Sequence, residues 1–106
     1  MAIKKSLLVA SLLTLAWLEP VAANESICAA SKKAAKSVMA VRQAGYDRSL
    51  VVNIARAESN PQARQIALGL IDAAYMEPIH ATPRDKSAAE ERFANLTYEI
   101  CMKELN

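Results

Sequence analysis

The chain has 106 residues, a length typical of one domain, and a formal net charge of +2 with basic and acidic side chains interleaved. A nearly neutral chain without a block of Lys and Arg has no field that would concentrate nucleic acid, which excludes the nucleic-acid-binding class. One histidine and two cysteines leave few groups for nucleophilic or metal chemistry.

Residues 1–23 have the features of a cleavable signal peptide. Lys4 and Lys5 precede an uncharged apolar run over residues 6–18, and small residues lead up to Ala23. The run has about 13 residues, whereas a membrane-spanning helix needs roughly 20. We expect cleavage after Ala23, no stable membrane anchor afterwards, and a periplasmic or secreted domain over residues 24–106. An uncleaved N-terminal anchor is the less favoured alternative.

The two cysteines predict one disulfide. Cleavage would leave 11 of the 13 basic and 10 of the 11 acidic residues, a formal charge of +1, in a domain too small for a large core. An even cysteine count in an exported protein indicates pairing, so Cys28 should bond to Cys101. The bridge would stabilise the fold by roughly 4 kcal/mol. A redox-active pair would need the CxxC spacing, which is absent.

The first predicted helix begins at Asn24 or Ser26, both of which can cap a helix, and Gly45 ends it in a left-handed conformation. Apolar residues recur along it at three- and four-residue steps, with lysines on the other side. This pattern predicts that the helix buries Ile27, Ala34, Val38 and Val41.

Two further helices follow. Asp47 or Ser49 starts a short one, and Asn60 with Pro61 is a strong start signal for the next, since Asn caps helices and Pro suits the first helical position. That third helix contains the most apolar stretch after the leader, which predicts that it is the central helix. Gly69 within it predicts close packing of a neighbour. Its apolar body is Ile66, Ala67, Leu68, Leu70, Ile71, Ala74 and Tyr75.

The last helix follows a proline-bracketed loop. It starts either at Thr82 or at Ser87, with Glu90 completing a capping box in the second case. Its predicted buried face is Ala89, Phe93, Leu96 and Ile100.

These elements predict an all-α fold, a compact bundle of three to four helices. No segment alternates with a period of two over more than a few residues, so strands are not expected. Cys28 lies near the start of the first helix and Cys101 near the end of the last. Those two ends meet in an up-down bundle of four helices, or of three with one short, so the disulfide should join the N- and C-terminal helices.

No constellation of residues indicates catalysis. A triad would need His80 beside an acid and a serine in a strained turn, and no such serine lies nearby. Glu77 and His80 could supply two metal ligands, but Pro78 lies between them and no further His or free Cys would complete a site. We expect His80 to be a solvent-exposed loop residue, and we expect no catalytic residue, metal or cofactor.

Three fragments are less typical of a generic bundle. They are Met39-x-x-Arg42-Gln43-x-Gly45, Ala74-Tyr75-x-x-Pro78 and Phe93-Ala94-x-x-x-Tyr98-x-x-Cys101. Together with Cys28 they resemble a group of small secreted two-cysteine helical proteins of proteobacteria and their phages, which are functionally uncharacterised. The resemblance covers nearly all residues after the leader. It implies a Gram-negative host and a periplasmic address, and it implies no activity.

The fragments supply the candidate partner-binding residues: Arg42, Gln43, Tyr75 and Tyr98. Tyr and Arg are the residue types most enriched at binding hot spots. The alternative interpretation is structural, with the tyrosine rings partly buried and their hydroxyls hydrogen-bonded. Arg42 and Tyr75 each lie near the end of a helix in two parallel helices, so we expect them at one end of the bundle. The disulfide should hold Tyr98 near the other end.

The function that these observations favour is a protein-binding module, of an inhibitor or immunity type, without catalytic activity. Its partner would be another protein. One alternative is a periplasmic stress chaperone that exposes apolar surface on partial unfolding. A second alternative is a small enzyme that depends on His80.

Overall fold

The computed structural model describes residues 24–105, which contain four helices and no strand. Helix α1 covers residues 24–43, α2 covers Arg48–Arg56, α3 covers Pro61–Ala74 and α4 covers Pro83–Leu105. The expectation of an all-α bundle is therefore confirmed, with four helices. The predicted signal peptide over residues 1–23 lies outside the described residues.

The end of α1 has the predicted glycine cap. Gly45 has a φ of +87°, a left-handed conformation that costs a glycine little because it has no Cβ. The amide of Tyr46 donates to the carbonyl of Val41, which closes the last turn. Ser26 lies inside α1, so the helix does not begin there. Asp47 precedes the first residue of α2, which confirms it over Ser49 as the start of that helix.

The starts of α3 and α4 follow from their capping residues. Asn60 Oδ1 accepts from the backbone amides of Gln62 at 2.9 Å and Ala63 at 3.1 Å, with Pro61 at the first helical position, as predicted. Thr82 Oγ1 accepts from the amide of Asp85 at 3.1 Å. Of the two predicted starts for α4, Thr82 is therefore correct, and Ser87 lies inside the helix.

The predicted disulfide joins the first and last helices. Cys28 and Cys101 are bonded, with their Cα atoms 5.5 Å apart and 73 residues between them in sequence. Asn24 Nδ2 also donates to the backbone oxygen of Leu105 at 2.9 Å. These contacts hold the start of the described part of α1 against the end of α4.

The inward face of α1 is rotated by one to two residues from the predicted one. Ile27 is 46% exposed and Ala34 is exposed. The residues that α1 buries are Cys28, Ala35, Met39 and Gln43. One residue rotates a helix face by about 100°, and the bond from Cys28 to α4 sets which side points inward. Ile27 and Ala34 were therefore predicted wrongly, whereas Val38 and Val41 are half-buried beside the inward face.

The core is small and lies where α1, α3 and α4 meet. Met39, Ala74 and Ala89 form its buried centre, and Val38, Tyr75 and Phe93 pack around them. Helix α2 packs on α3 and buries Val52, whereas the backbones of α3 and α4 stay apart along most of their length. This separation leaves space between two apolar helix faces.

Helix α3 packs on α2 and meets α1 and α4 in the core, as expected of a central helix, although it buries only Ile71 and Ala74. Two other predictions about α3 and α4 are wrong because of the separation between these helices. Gly69 is exposed, and no atom lies within 4 Å of the position that a Cβ would take, so nothing packs closely on it. On α4, Ala89 is buried and Phe93 half-buried as expected, but Leu96 and Ile100 are about half exposed.

Candidate functional site

The turn over residues 75–80 is attached to the C-terminal end of α1 by three hydrogen bonds. Arg42 Nε donates to the backbone oxygen of Glu77 at 2.9 Å. Gln43 Nε2 donates to the backbone oxygen of Pro78 at 2.9 Å, and Gln43 Oε1 accepts from the amide of His80 at 2.8 Å. Both ends of the Gln43 amide are therefore used to hold backbone groups 35 and 37 residues away.

Gln43 is the one polar residue among the buried residues of the described chain, with 2% of its surface exposed. Its own backbone oxygen accepts from Lys86 Nζ at 2.8 Å, which brings the first turn of α4 to the same point. A buried amide costs free energy unless it is hydrogen-bonded, and here it is. The position of Gln43 indicates a structural role, and its amide is not available to a partner.

Arg42 and Tyr75 lie together at this end of the bundle. The guanidinium carbon of Arg42 is 5.0 Å from the centre of the Tyr75 ring, within the range of a cation–π contact. The hydroxyl of Tyr75 donates to the backbone oxygen of Tyr46 at 2.7 Å. Both candidate side chains thus contact the turns that follow α1 and α3, and both are only half-exposed.

Tyr98 lies elsewhere. Its ring is 5.6 Å from Lys32 Nζ, and Lys32 precedes Arg42 by ten residues on α1, about 15 Å along a helix axis. The structure therefore brings Arg42, Gln43 and Tyr75 together and leaves Tyr98 near the disulfide. The four candidate residues do not form a single patch.

Glu77 connects the turn to α4. Its Oε1 atom lies 2.8 Å from His80 Nε2 and 3.2 Å from Arg92 Nη2. The hydrogen bond with His80 is the largest cause and lowers the pKa of Glu77. Burial is the second largest cause and raises it, and the charges of His80 and Arg92 lower it further. His80 lies in the loop before α4, as predicted, but it is less exposed than expected, because its side chain is 27% exposed and paired with Glu77.

The pair of Glu77 and His80 does not extend to a metal site. Over residues 24–105 no group of three or more His, Cys, Asp or Glu side chains is arranged to hold an ion. The contacts of this pair are an ion pair with Arg92 and a hydrogen bond within one turn. They account for its geometry as part of the attachment between the turn and α4.

A second feature is an apolar groove between α1, α3 and α4, with a volume of about 430 Å³. Five large apolar side chains in its wall keep between 38% and 54% of their surface exposed. These five are Ile27, Ile66, Leu96, Ile100 and Leu105. Leu70, Ala73, Phe93 and Cys101 complete the apolar lining, and Gln62, Ser31, Thr97 and Glu104 supply its polar atoms.

The groove runs along two helices. Its lining on α3 extends from Gln62 to Ala73 and on α4 from Phe93 to Leu105. At a rise of 1.5 Å per residue these stretches are about 16 to 18 Å long, or three helical turns. In both walls the residues recur at steps of three and four, so each wall is one face of a straight helix.

Sequence reasoning missed the groove because it placed the groove residues in the core. Ile27, Ile66, Leu96 and Ile100 have the spacing of buried positions, and spacing alone does not show whether the opposite wall is close enough to cover them. One signal was available. A domain of this size buries only about 60 to 65% of its unfolded surface, so four helices with wide apolar faces exceed what it can enclose.

Comparisons with protein families, with curated proteins and with solved structures found no match for this chain. Within residues 24–105 no helix is both long enough and apolar enough to cross a membrane. The candidate site therefore has to be assessed from its own chemistry.

Proposed function

We propose that the chain is a periplasmic or secreted protein-binding module of the inhibitor or immunity type, and that the apolar groove is its binding surface. The observation that supports this most is the groove itself, in which five large apolar side chains are about half exposed. Contiguous exposed apolar surface of this kind typically marks a site of interaction with another protein. The disulfide is consistent with an oxidising compartment.

The chemistry of the groove favours a helical segment as the occupant. Its walls are helices whose backbone groups are already paired, so it offers no strand edge to an extended peptide. An extended peptide would therefore bring unpaired amides and carbonyls into an apolar site, whereas a helix satisfies its own backbone. We expect an amphipathic helix of about three turns, with apolar anchors at positions i, i+3 or i+4 and i+7.

The energetics require the partner to supply apolar anchors of its own. Burying one Leu or Ile side chain contributes about 1.5–3 kcal/mol, so covering the exposed halves of five contributes roughly 5 kcal/mol. Association itself costs an estimated 4–15 kcal/mol. The groove therefore binds tightly only when the partner buries a similar apolar surface in return, which gives selectivity for an amphipathic helix over a polar one.

The test compares two substitutions at positions with equal exposure. Ile100 lines the groove and Ile79 lies in the loop before α4, and each is 48% exposed. The full chain would be expressed in a Gram-negative host, purified from its periplasm, and used to capture exported proteins of the source organism. Ile100→Lys should reduce capture of a specific partner at least tenfold, since a lysine charge would enter the apolar groove. Ile79→Lys should leave it unchanged.

Circular dichroism and thiol titration would show that both variants keep the helices and the disulfide. Equal capture by the wild type and the Ile100→Lys variant would contradict the groove as the binding surface. Loss of capture in the Ile79→Lys variant alone would place the surface at the other end of the bundle.

A further inference from the structure

Helix α2 and the turn before it present three large apolar side chains that are about half exposed or more. Tyr46, Leu50 and Ile54 are 55%, 49% and 67% exposed, and they are called the stripe here. Leu50 and Ile54 lie four residues apart on one face of α2, whereas Tyr46 lies in the turn before the helix, ahead of its N-cap Asp47. Val52, on the opposite side of the helix, is buried against the bundle.

The stripe has the form that the groove accommodates. The groove is concave, apolar and about three helical turns long, and α2 is a helix of nine residues, about 14 Å, with two exposed apolar anchors at i and i+4, Leu50 and Ile54. No residue of α2 or of the turn before it lines the groove, so one copy of the chain can present α2 while its own groove stays open. A single chain thus carries both halves of a helix-in-groove contact.

The charges of the two surfaces are complementary. Over residues 48–56, α2 has two arginines and no acidic residue. Arg48 is paired with Asp72 of its own chain, so Arg56 is the arginine of α2 that can contact a second copy. The charged side chain in the lining of the groove is that of Glu104, at the C-terminal end of α4. The partial negative charge of a helix C-terminus adds to that of Glu104. Arg56 of α2 is therefore attracted to this end of the groove.

We propose that α2 of one copy of this chain docks in the apolar groove of a second copy. The proposal rests on the proposed function of the groove as a helix-binding surface, and it names α2 of a second copy as one helix that binds there. Three anchor side chains bury much less than the about 800 Å² per partner of a standard interface, so the association is weak and depends on concentration. A tighter-binding partner would displace it, so self-association would protect the groove until that partner is present.

The experiment is sedimentation equilibrium of the wild type and two variants, each exported from the full chain, at concentrations from about 10 μM to 1 mM, the range of a weak interface. Ile54→Lys changes the stripe and leaves the groove intact, and Leu96→Lys changes the groove and leaves the stripe intact. The weight-average mass of the wild type should rise with concentration. Each variant alone should associate at least tenfold more weakly.

The mixture of the two variants provides the decisive measurement. It contains one intact pair of surfaces, the stripe of the Leu96→Lys chain and the groove of the Ile54→Lys chain. An equimolar mixture should therefore form a one-to-one dimer that neither variant forms alone. Ile79→Lys, at an exposed apolar residue outside both surfaces, should behave as the wild type.

Two results would overturn the proposal: a wild type that stays monomeric at 1 mM, or a mixture that stays monomeric although the wild type associates. The two proposals fail separately. A monomeric wild type whose partner capture is lost in Ile100→Lys contradicts self-docking alone. A mixture that associates, with capture unaffected by Ile100→Lys, contradicts the proposed function alone.

Discussion

The 75–80 turn and the groove between α3 and α4 differ in how far this small bundle is closed around its core. At the 75–80 turn, Arg42 and Gln43 hold three backbone groups by hydrogen bonds of 2.8–2.9 Å, and a buried glutamine takes the place of an apolar residue. Between α3 and α4 there are no such bonds, and apolar side chains line an open groove. One end is closed by polar contacts, and the other is left open and apolar.

Residues that stand out in the sequence therefore need not belong to the candidate binding surface. Arg42, Gln43 and Tyr75 look like a recognition motif, yet their side chains contact the turns of their own chain. Ile66 and Leu96 look like ordinary core positions, yet they line the candidate surface. We therefore assign a structural role to the 75–80 turn and propose a binding role for the groove.

The largest effect should come from the disulfide, which forms part of the groove wall at Cys101. Cys101→Ser should lower the free energy of unfolding by about 2–5 kcal/mol, the usual loss for a native bridge in a small secreted domain. Urea denaturation of the periplasmic protein measures it. Thiol titration of the denatured, unreduced wild type should find no free thiol, and two free thiols would contradict both the bridge and the attachment of α1 to α4 that it provides.

The next largest effect should come from the buried glutamine. Gln43→Met keeps the length of the side chain and removes its amide, which leaves the Pro78 carbonyl and the His80 amide without partners. Each unsatisfied group costs about 1–3 kcal/mol, and partial access of water reduces this, so we expect a loss of about 2 kcal/mol.

Thermal unfolding measures the loss, since 1 kcal/mol corresponds to about 4–8 °C in a domain of this size. The control is Gln65→Met, at an exposed position of α3, which should be close to neutral. Equal effects at the two positions would show that the amide of Gln43 does not hold the turn.

Local chemistry made most of the fold predictable. Gly45, the pair of Asn60 and Pro61, and Thr82 define helix ends through their own backbone conformation or side-chain bonds, and each was found from sequence. The even cysteine count predicted the disulfide, and the disulfide predicted that the start of α1 lies beside the end of α4. These features depend on neighbours within four residues or on a forced pairing, so no three-dimensional information is needed.

The inward faces could not be predicted in the same way. The disulfide was the one sequence feature that indicated which face of α1 points inward. Counting from Cys28 by seven residues, then four, then four again reaches Ala35, Met39 and Gln43, the other residues that α1 buries. The burial of Gln43 depends on carbonyl and amide groups more than 30 residues away. The groove depends on the distance between α3 and α4, which no local pattern determines.

Substitution of Arg42 tests whether the end of the bundle at the 75–80 turn is structural or binds the partner. Arg42→Ala removes the bond to the Glu77 carbonyl and the contact with the Tyr75 ring, so we expect a loss of about 1–2 kcal/mol in the free energy of unfolding. Capture of the partner by the folded fraction should not change. The opposite pattern, unchanged melting with capture weakened by about 2 kcal/mol, the hot-spot threshold, would return the binding surface to this end.

Glu77 should make the turn end sensitive to acid. Its pKa is lowered, so the stabilisation is present above the ordinary value of 4.5 and is lost as the pH falls through the lower value in the folded protein. Glu77→Gln should therefore lose less stability than the wild type between pH 7 and pH 3. Urea midpoints at the two pH values measure this. Parallel losses would show that the contacts of Glu77 with His80 and Arg92 do not contribute to stability.

The smallest effects should come from the two glycines, Gly45 in the turn after α1 and Gly69 inside α3. Their substitution by alanine should change stability in opposite directions. Gly45 has a φ of +87°, so Gly45→Ala forces a Cβ into a left-handed conformation and should destabilise the turn end by about 1 kcal/mol. Gly69 lies inside α3 in an ordinary helical conformation, and no atom lies within 4 Å of its would-be Cβ. Gly69→Ala should therefore stabilise the protein by about 0.5–1 kcal/mol, because alanine loses less backbone entropy in a helix. Thermal melts of the two variants should shift in opposite directions. A loss of stability in Gly69→Ala would mean that a neighbour packs against α3 at this position, in contrast to the open space found there.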